Sequence, residues 1–425
     1  MTTIITQCRI CHNTKLVPLL DLGVQAFTGI FPASPTEHVP SGPLQLVKCD
    51  ESVEGACGLV QLRHSFDADA MYGDNYGYRS GLNQSMVRHL EGIVRKIQSV
   101  VKLQPGDAVL DIGSNDGTML GFYPKDLNII GMDPTSKKFR EHYPPHVTVI
   151  SDFFSKARLI PVLGNRRLKA VTSIAMFYDL EDPLSLMQEV HSVLANDGVW
   201  VLEQSYMPTM VEMLAYDTIC HEHLEYYALR QIHWMAERVG FKILDVEFND
   251  TNGGSFLVVL AKQESTLPEH RVKVSRILIQ ERSKGYHTLQ PYQEFAEKVQ
   301  HHRLELQGYI ATLKNTGKQI VGYGASTKGN VILQYCGFTG KDIAHIGEVN
   351  SYKFGRCTPG SHIPILSEVQ AKQAKPSHLL VMPWHFKNFI VEKEQAYLAS
   401  GGTLVFPLPT LTAVSKDGEK VITSF

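Results

Sequence analysis

A chain of 425 residues carries 41 Lys+Arg against 43 Asp+Glu, a formal net charge of −2, which leaves no basic face for nucleic acid or an anionic membrane surface. No apolar run nears the ~20 residues that span a bilayer, and the opening residues, MTTIITQCRICHN, lack the basic stretch and apolar segment of a secretory signal. A cytoplasmic monomer with reduced thiols is expected, and the length favours about three domains.

Four of the seven cysteines fall within the first 57 residues: Cys8, Cys11, Cys49 and Cys57. Cys8 and Cys11 form a CxxC; the second pair is separated by seven residues, wider than a zinc knuckle. Two pairs of thiolates match a tetrahedral structural zinc site, with disulfides or buried thiols as the alternatives. So small a module buries little core, and metal would supply much of its stability. The segment between the pairs holds Pro32, Pro35, Pro40 and Pro43 and is expected to loop over a neighbouring domain. Next comes MYGDNYGYRSGLN, residues 71–83, where Tyr72, Tyr76 and Tyr78 stand among glycines beside Arg79 and Asn83. Such a mixture suits a loop that grips a hydroxyl-rich ligand, or a plain aromatic-anchored linker. Met86, Leu90, Ile93, Val94, Ile97 and Val101 then mark a helix at about 84–101.

Residues 108–112 read as a buried parallel strand, ending in the turn Gly113-Ser114-Asn115-Asp116-Gly117, after which a helix is expected from Thr118. The dinucleotide fingerprint GxGxxG fails at Asn115, so the turn suits a cofactor without a pyrophosphate. The next strand, 128–132, ends in Asp133, twenty-two residues after Asp111. An acid there can accept hydrogen bonds from both ribose hydroxyls. Turn and acid together resemble the S-adenosylmethionine (SAM) site of a class I methyltransferase, with Asp111, Gly113, Ser114, Asn115, Gly117 and Asp133 around the cofactor. Asp152 and Phe153, after a short strand at 148–150, are placed at the adenine edge and face, with a core aromatic as the alternative for Phe153.

Strands at 171–176 and 198–203, a helix at 184–194 and a closing hairpin (241–248, 255–260) complete the pattern of a parallel sheet with helices on both faces. Between helix and hairpin lies YDTICHEHLEYY, residues 216–227. His221, Glu222 and His223 could be an acid–base cluster, an HxH metal site without an evident third ligand, or a satisfied structural cluster. Charged helices at about 269–284 and 291–315 lead to a second α/β unit, with strands at 319–323, 344–349, 378–382 and 403–406 and helices at 367–375 and 387–400. Its turn, Gly324-Ala325-Ser326-Thr327-Lys328, could cradle phosphate, bind NAD with Glu348 at the ribose, or be structural.

Six ordered motifs make the chain similar to the bacterial sugar C-methyltransferases that act at C3 of nucleotide-linked 4-keto-6-deoxy sugars. They are the four-cysteine module, YGYRSGLN, DIGSNDG, HEHL, the GGS hairpin and GYGAxxKGN. The resemblance implies a zinc-binding domain (1–68), a class I Rossmann-like SAM methyltransferase domain (69–262) and a C-terminal Rossmann-like α/β domain (263–425) that helps to hold the nucleotide. It also implies His223 as general base, supported by Glu222 and Tyr76. The chain departs from the family at Cys220, where a tyrosine often precedes HEH.

The chemistry fits that resemblance. Carbon becomes nucleophilic beside a carbonyl, and C3 of a 4-keto sugar is such a carbon: a base takes its proton and donors hold the enolate oxygen. His223 is assigned as base and Tyr76 or His221 as enolate donor. Arg79, Asn83, Thr327 and Lys328 would hold sugar or diphosphate, Arg79 and Lys328 by charge, with Tyr78, Asn252 and Gly324 in the same substrate set. An NAD-dependent nucleotide-sugar oxidoreductase and a non-catalytic zinc-containing nucleotide-sugar-binding protein are the rival readings. The nucleotide base, TDP or GDP, and the stereochemistry at C3 stay open.

Overall fold

Of the amino-terminal module, strands β1 (Thr3–Ile4) and β5 (His64–Ser65) make a short antiparallel pair. Strands β2 (Leu16–Ala26), β3 (Ser41–Cys49) and β4 (Val60–Leu62) form an antiparallel sheet. A computed structural model describes residues 2–67, 71 and 78–422; of the tyrosines in the 71–83 segment, Tyr72 and Tyr76 lie outside the described residues. The excursion between the cysteine pairs is therefore mostly a β-hairpin, in which Leu44 and Leu46 are buried while Gln45 between them turns outward to Asp21. Its tip does lie over a neighbour, as expected. Asn330 Nδ2 donates to Thr28 O (2.8 Å), Arg356 to Phe31 O (2.9 Å), and the Cys357 N–H to Pro32 O (2.8 Å). The fourth strand of this sheet comes from far along the chain: β11 (Glu225–Tyr226) pairs with β4, Glu225 opposite Gln61.

The central sheet contains β6 (Ala108–Ile112), β7 (Asn128–Met132), β8 (Thr148–Ile150), β9 (Leu168–Ile174), β10 (Leu194–Ser205), β12 (Phe241–Asn249) and β13 (Ser255–Lys262). Their order is β12-β13-β10-β9-β6-β7-β8, with β13 antiparallel to both neighbours and the rest parallel. This is the sheet of a Rossmann-like class I SAM methyltransferase. Helix Gln84–Val100, capped by Asn83, buries Leu90, Ile93, Val94 and Ile97 on one face against Val109, Val199 and Val201. Helices Pro183–Val193 and Leu229–Val239 cover the other, where Met187, Val190, Ile232 and Met235 join the core of Trp200 and Leu202. The helix expected from Thr118 does not form. Only a 3₁₀ turn, Met119–Phe122, follows the glycine turn, because Gly121 is a poor helix former and Pro124 bars continuation.

Helices Arg271–Ser283 and Gln290–Asn315 connect the two α/β units. Glu281 caps the start of helix Leu229–Val239 by accepting the N–H groups of Leu229 (2.7 Å) and Arg230 (3.1 Å), and it also accepts the Tyr206 hydroxyl (2.6 Å). The last sheet holds β14 (Ile320–Tyr323), β15 (Ile346–Glu348), β16 (Ile365–Ser367), β17 (His378–Val381), β18 (Thr403–Phe406), β19 (Thr412–Ser415) and β20 (Gly418–Val421). Its order is β16-β15-β14-β17-β18-β19-β20, parallel through β18 and antiparallel beyond. The helix expected at 387–400 is two, Lys387–Lys393 and Gln395–Ala399. The intervening Glu394 is buried and accepts from Tyr323 (2.9 Å) and Lys372 (2.7 Å). Among the described residues no helix is long and apolar enough to cross a membrane.

Candidate active site

A cavity of about 1140 Å³ opens where the C-terminal ends of the two parallel sheets meet, as ligand sites in open α/β sheets do. Each sheet contributes the same device. In the central sheet, β6 runs into Gly113, whose φ of 77° suits glycine and whose added Cβ would lie 3.0 Å from Met176. Asp133, at the end of β7, accepts the Asn115 N–H (2.9 Å) on one carboxylate oxygen, and the N–H and hydroxyl of Thr135 (2.6 and 2.5 Å) on the other. In the second sheet, Glu348 at the end of β15 accepts the Ala325 N–H (2.8 Å), and its other oxygen takes those of Val349 and Asn350. An acid at the second strand thus fixes the glycine turn of the first in both units.

At the cofactor end, Asp111, Gly113, Ser114, Asn115, Asp133 and Phe153 line the cavity. Asp111 accepts the Thr172 hydroxyl (2.6 Å), and burial pushes its pKa up to about 7. Ser114 meets the Tyr143 hydroxyl at 2.8 Å. Phe153, 44% exposed, offers a ring face. Two expected cofactor residues do not reach the wall. Gly117 packs instead against the Tyr143 ring, which a Cβ there would meet at 2.6 Å, and Asp152 is turned to Arg158 and to the Phe153 N–H (2.8 Å).

The 78–83 segment is laid over this turn. The Ser80 N–H donates to Asn115 Oδ1 (3.0 Å), the Gly81 N–H to Asp116 Oδ2 (3.0 Å) and Asn115 Nδ2 to Tyr78 O (3.1 Å), while Arg79 Nε stands 3.5 Å from Asp116. Tyr78, Arg79 and Asn83 line the cavity, although the Asn83 oxygen is spent on the Ser85 N–H (2.9 Å) as a helix cap.

At the opposite wall, residues 220–223 form a turn held from both sides. The Leu224 N–H donates to Tyr178 O (2.9 Å) and its carbonyl accepts the Leu62 N–H (2.8 Å). His223 faces the cavity, with Nδ1 2.9 Å from Thr218 O and its ring 4.3 Å from the Tyr178 ring. A carbonyl can only accept, so Nδ1 carries the proton and Nε2 is left bare. Burial lowers the His223 pKa to about 4; the Thr218 bond opposes this and Lys328 adds to it. Glu222 also lines the cavity, its pKa pushed by burial to about 7. Its Oε1 lies 2.7 Å from where a Cβ on Gly29 would be, so the amino-terminal module shapes this wall.

His221 is not part of the cavity. It is 1% exposed, its Nε2 is 3.1 Å from Gly42 O, and its ring lies between Phe27 (4.6 Å) and Phe66 (4.7 Å) in the amino-terminal module. The turn sends His221 and His223 to opposite sides, which corrects the expectation of His221 as enolate donor and removes the HxH metal pair. The ligating atoms of Cys220, Glu222 and His223 do lie within 4.8 Å of one another.

The second unit closes the cavity. Gly324, Thr327 and Lys328 line it, Gly324 at φ 82° with Pro383 2.8 Å from an added Cβ. Asn252, at φ 56° in the β12–β13 turn, also lines it and gives its carbonyl to Lys328 Nζ (2.5 Å). Sequence reasoning missed Met176, Tyr178, Lys353, Arg356 and His385, all on the wall. They follow strand ends, a positional signal that names no side chain.

The four amino-terminal thiols converge within 4.8 Å, with Cys8 Sγ–Cys57 Sγ at 3.5 Å and Cys11 Sγ–Cys49 Sγ at 3.4 Å. Tetrahedral zinc with Zn–S of ~2.3 Å sets sulfurs ~3.8 Å apart, close to these spacings. Asn13 Nδ2 donates to Cys49 Sγ (3.3 Å), a bond suited to a thiolate.

Comparison with known proteins follows the same three parts. Residues 8–72 match a family model described as "Putative zinc binding domain", 86–246 a "Methyltransferase domain", and 250–409 a "C-methyltransferase C-terminal domain". The C-methyltransferase NovU of Streptomyces niveus is 28% identical over 416 residues, covering 97% of this chain and 98% of that protein. Among solved structures, a SAM-dependent methyltransferase from Clostridium acetobutylicum is 11% identical, covering 41% of this chain and 92% of its own, with a TM-score of 0.33. The plantazolicin methyltransferase BpumL with a pentazolic analogue and SAH is 14% identical over 46% and 92%, with a TM-score of 0.34. Three domain models thus match the chain in order, and it is similar from end to end to a C-methyltransferase.

Proposed function

We propose that the protein is a SAM-dependent methyltransferase acting at C3 of a nucleotide-linked 4-keto-6-deoxy sugar through an enolate. The observation that carries this reading is His223: a half-buried imidazole, neutral, with its proton fixed on Nδ1 and its bare Nε2 beside the cavity that the Asn115 turn also lines. SAM, when bound, supplies an electrophilic methyl group, and the residues around the first glycine turn suit it, with Asp133 for the ribose and Phe153 for the base. His223 Nε2 takes the C3 proton. Glu222, with a pKa near neutrality, would exchange a proton with that end of the site, and Tyr76 remains a candidate donor. The cavity extends to Lys353 and Arg356 on the second unit, which suit a nucleoside diphosphate by charge. Structural zinc in the four-cysteine cluster would hold the amino-terminal module. The three domains are taken as 1–68, 69–262 and 263–425, and the chain as a monomer in the cytoplasm.

The test is to incubate the protein with SAM and a panel of thymidine- and guanosine-diphosphate 4-keto-6-deoxy sugars, then to read product mass and NMR. One product heavier by a methyl on C3 is expected. A nicotinamide requirement with no methyl gained would point to an oxidoreductase instead, and binding without turnover to a non-catalytic module.

A further inference from the structure

The proposed reaction needs a group to hold the oxygen on which enolate charge gathers. His221 is turned away into the amino-terminal module, and Tyr76 lies outside the described residues. We infer that Lys328, carried by the second α/β unit, is a catalytic residue that holds the substrate's C4 oxygen as negative charge builds on it, in the cavity that His223 also lines. The inference rests on the enolate reading above.

Three observations carry it. First, Lys328 is placed rather than free. It is the second residue of helix Thr327–Tyr335, whose start is capped by Ser326 Oγ on the Gly329 N–H (2.9 Å), and its ammonium is anchored at 2.5 Å to Asn252 O in the β12–β13 turn. Second, its charge is not neutralised: among the described residues no carboxylate lies within 4.0 Å of Nζ, and two of its three N–H donors have no assigned acceptor. Three other cations on the wall each face a carboxylate: Arg79 stands 3.5 Å from Asp116 and Lys353 4.0 Å from Glu348, and Lys393 pairs with Glu368 (2.8 Å). Third, Lys328 lines the cavity together with Cys220, His223 and His385, from both halves of the protein, and Asp217 is a nearby carboxylate behind the wall. Asp217 is itself buried, and one of its oxygens accepts the Trp384 indole N–H (2.8 Å). His385 Nδ1 is buried without a partner among the described residues.

A half-buried ammonium with no carboxylate in ion-pair range is costly in the free protein and is relieved by an anionic oxygen. In the enolisation step the C3–H bond breaks and its proton goes to His223 Nε2. The bonding pair becomes the C3=C4 double bond, and the C4=O π pair moves onto oxygen, where Lys328 donates an N–H. Charge therefore develops between a base that becomes cationic and a lysine already cationic, and the gain is larger in the transition state than in the bound ketone. This differs from the diphosphate role expected from sequence, which would place the ammonium with Lys353 and Arg356 rather than beside Cys220 and His223. Burial also lowers the Lys328 pKa, while Asp217 and Cys220 raise it.

The experiment compares wild type with Lys328→Met and Lys328→Arg, using whichever nucleotide 4-keto sugar the wild type methylates. In Lys328→Met, kcat for methyl transfer should fall at least ~100-fold, with KM for the sugar nucleotide and SAM affinity within about threefold of wild type. Lys328→Arg should recover a tenfold part of the loss. A KM raised tenfold or more at unchanged kcat would make Lys328 a diphosphate anchor and overturn the inference, as would no change in either. Should Lys328→Met fail to bind SAM, wild type decides. Its kcat should fall on an alkaline limb below the ordinary lysine pKa of about 10.4, and a flat profile to that pH overturns the inference. A wild type that methylates none of the sugars defeats the enolate reading and this one with it. Wild-type turnover with an unaffected variant defeats this one alone.

Discussion

His223 is held at the cavity wall by two contacts: the Thr218 carbonyl that fixes its tautomer and the Tyr178 ring that fixes its plane. A base held this way does its work at the reacting carbon. His223→Asn should therefore lower methyl transfer by roughly 10²–10⁴-fold while SAM and sugar nucleotide still bind, which calorimetric titration of both ligands would check. Methylation at the wild-type rate would shift the base to Cys220, Glu222 or Tyr76. Asp133 has two tasks, since it accepts the Asn115 N–H that shapes the glycine turn and stands where the ribose would lie. Asp133→Ala should weaken SAM by at least ~1.5 kcal/mol, the scale of hydrogen bonds to a charged acceptor. An unchanged affinity by calorimetry would place the cofactor elsewhere. These two residues were legible in the sequence because each ends or follows a recognisable segment. The opposite fates of His221 and His223 were not, because a tight turn at 221–222 has neither the helical nor the extended period on which a facing argument depends.

At the scale of elements, β11 links the four-cysteine module to the His223 turn. It immediately follows the His223 turn and pairs with β4, in a sheet whose strand β3 ends at Cys49. Arg9, between Cys8 and Cys11, donates to Leu62 O (2.7 Å), to His64 O (3.1 Å) and to Glu181 (3.2 Å), so it ties the cysteine loop to the methyltransferase side. One zinc per chain is expected by metal analysis. Its removal with a strong chelator, or Cys49→Ser, should lower methyl transfer as well as melting temperature, although no cysteine of the cluster lines the cavity. Full activity in metal-free protein would uncouple the two. The central strands were readable as near-continuous apolar runs between turns. The strand at 225–226 was not, because its partner lies some 160 residues away and a two-residue strand carries no period. The short 3₁₀ turn after Gly117 was missed for a local reason, the weight given to a glycine turn over the Gly121 and Pro124 that follow it.

The whole molecule buries several ionisable groups at the junction of its parts, and this sets how its stability depends on pH. Burial raises Asp111 and Glu222 to about 7 and Glu225 to about 8, against an ordinary carboxylate range near 4. Each is protonated in the folded chain where the unfolded chain has already lost its proton, so stability falls as pH rises from about 4 until each folded pKa is passed. His221 and His223, lowered to about 4, act in the other direction: the unfolded chain takes up their protons first, and stability is lost as pH falls below about 6.5. Asp50, Asp245 and Glu269, held at about 2 by bonds to lysines and arginine, add to the acid-side loss below about 4. Above pH 6.5 the histidines are neutral in both states and the three acids act alone, so the ligand-free protein should lose stability between pH 6.5 and 8. Glu225 is the group to test, since its only described hydrogen bond is from the Tyr227 hydroxyl (2.8 Å), and Arg9 gives it partial relief. Its share over that window is on the order of 2 kcal/mol, or a few degrees in melting temperature. Glu225→Gln keeps an acceptor for Tyr227 and has nothing to ionise, so its melting temperature should fall less than that of wild type between pH 6.5 and 8. Parallel curves for the two proteins would mean that Glu225 is ionised throughout, stabilised by Arg9 more strongly than its burial opposes it.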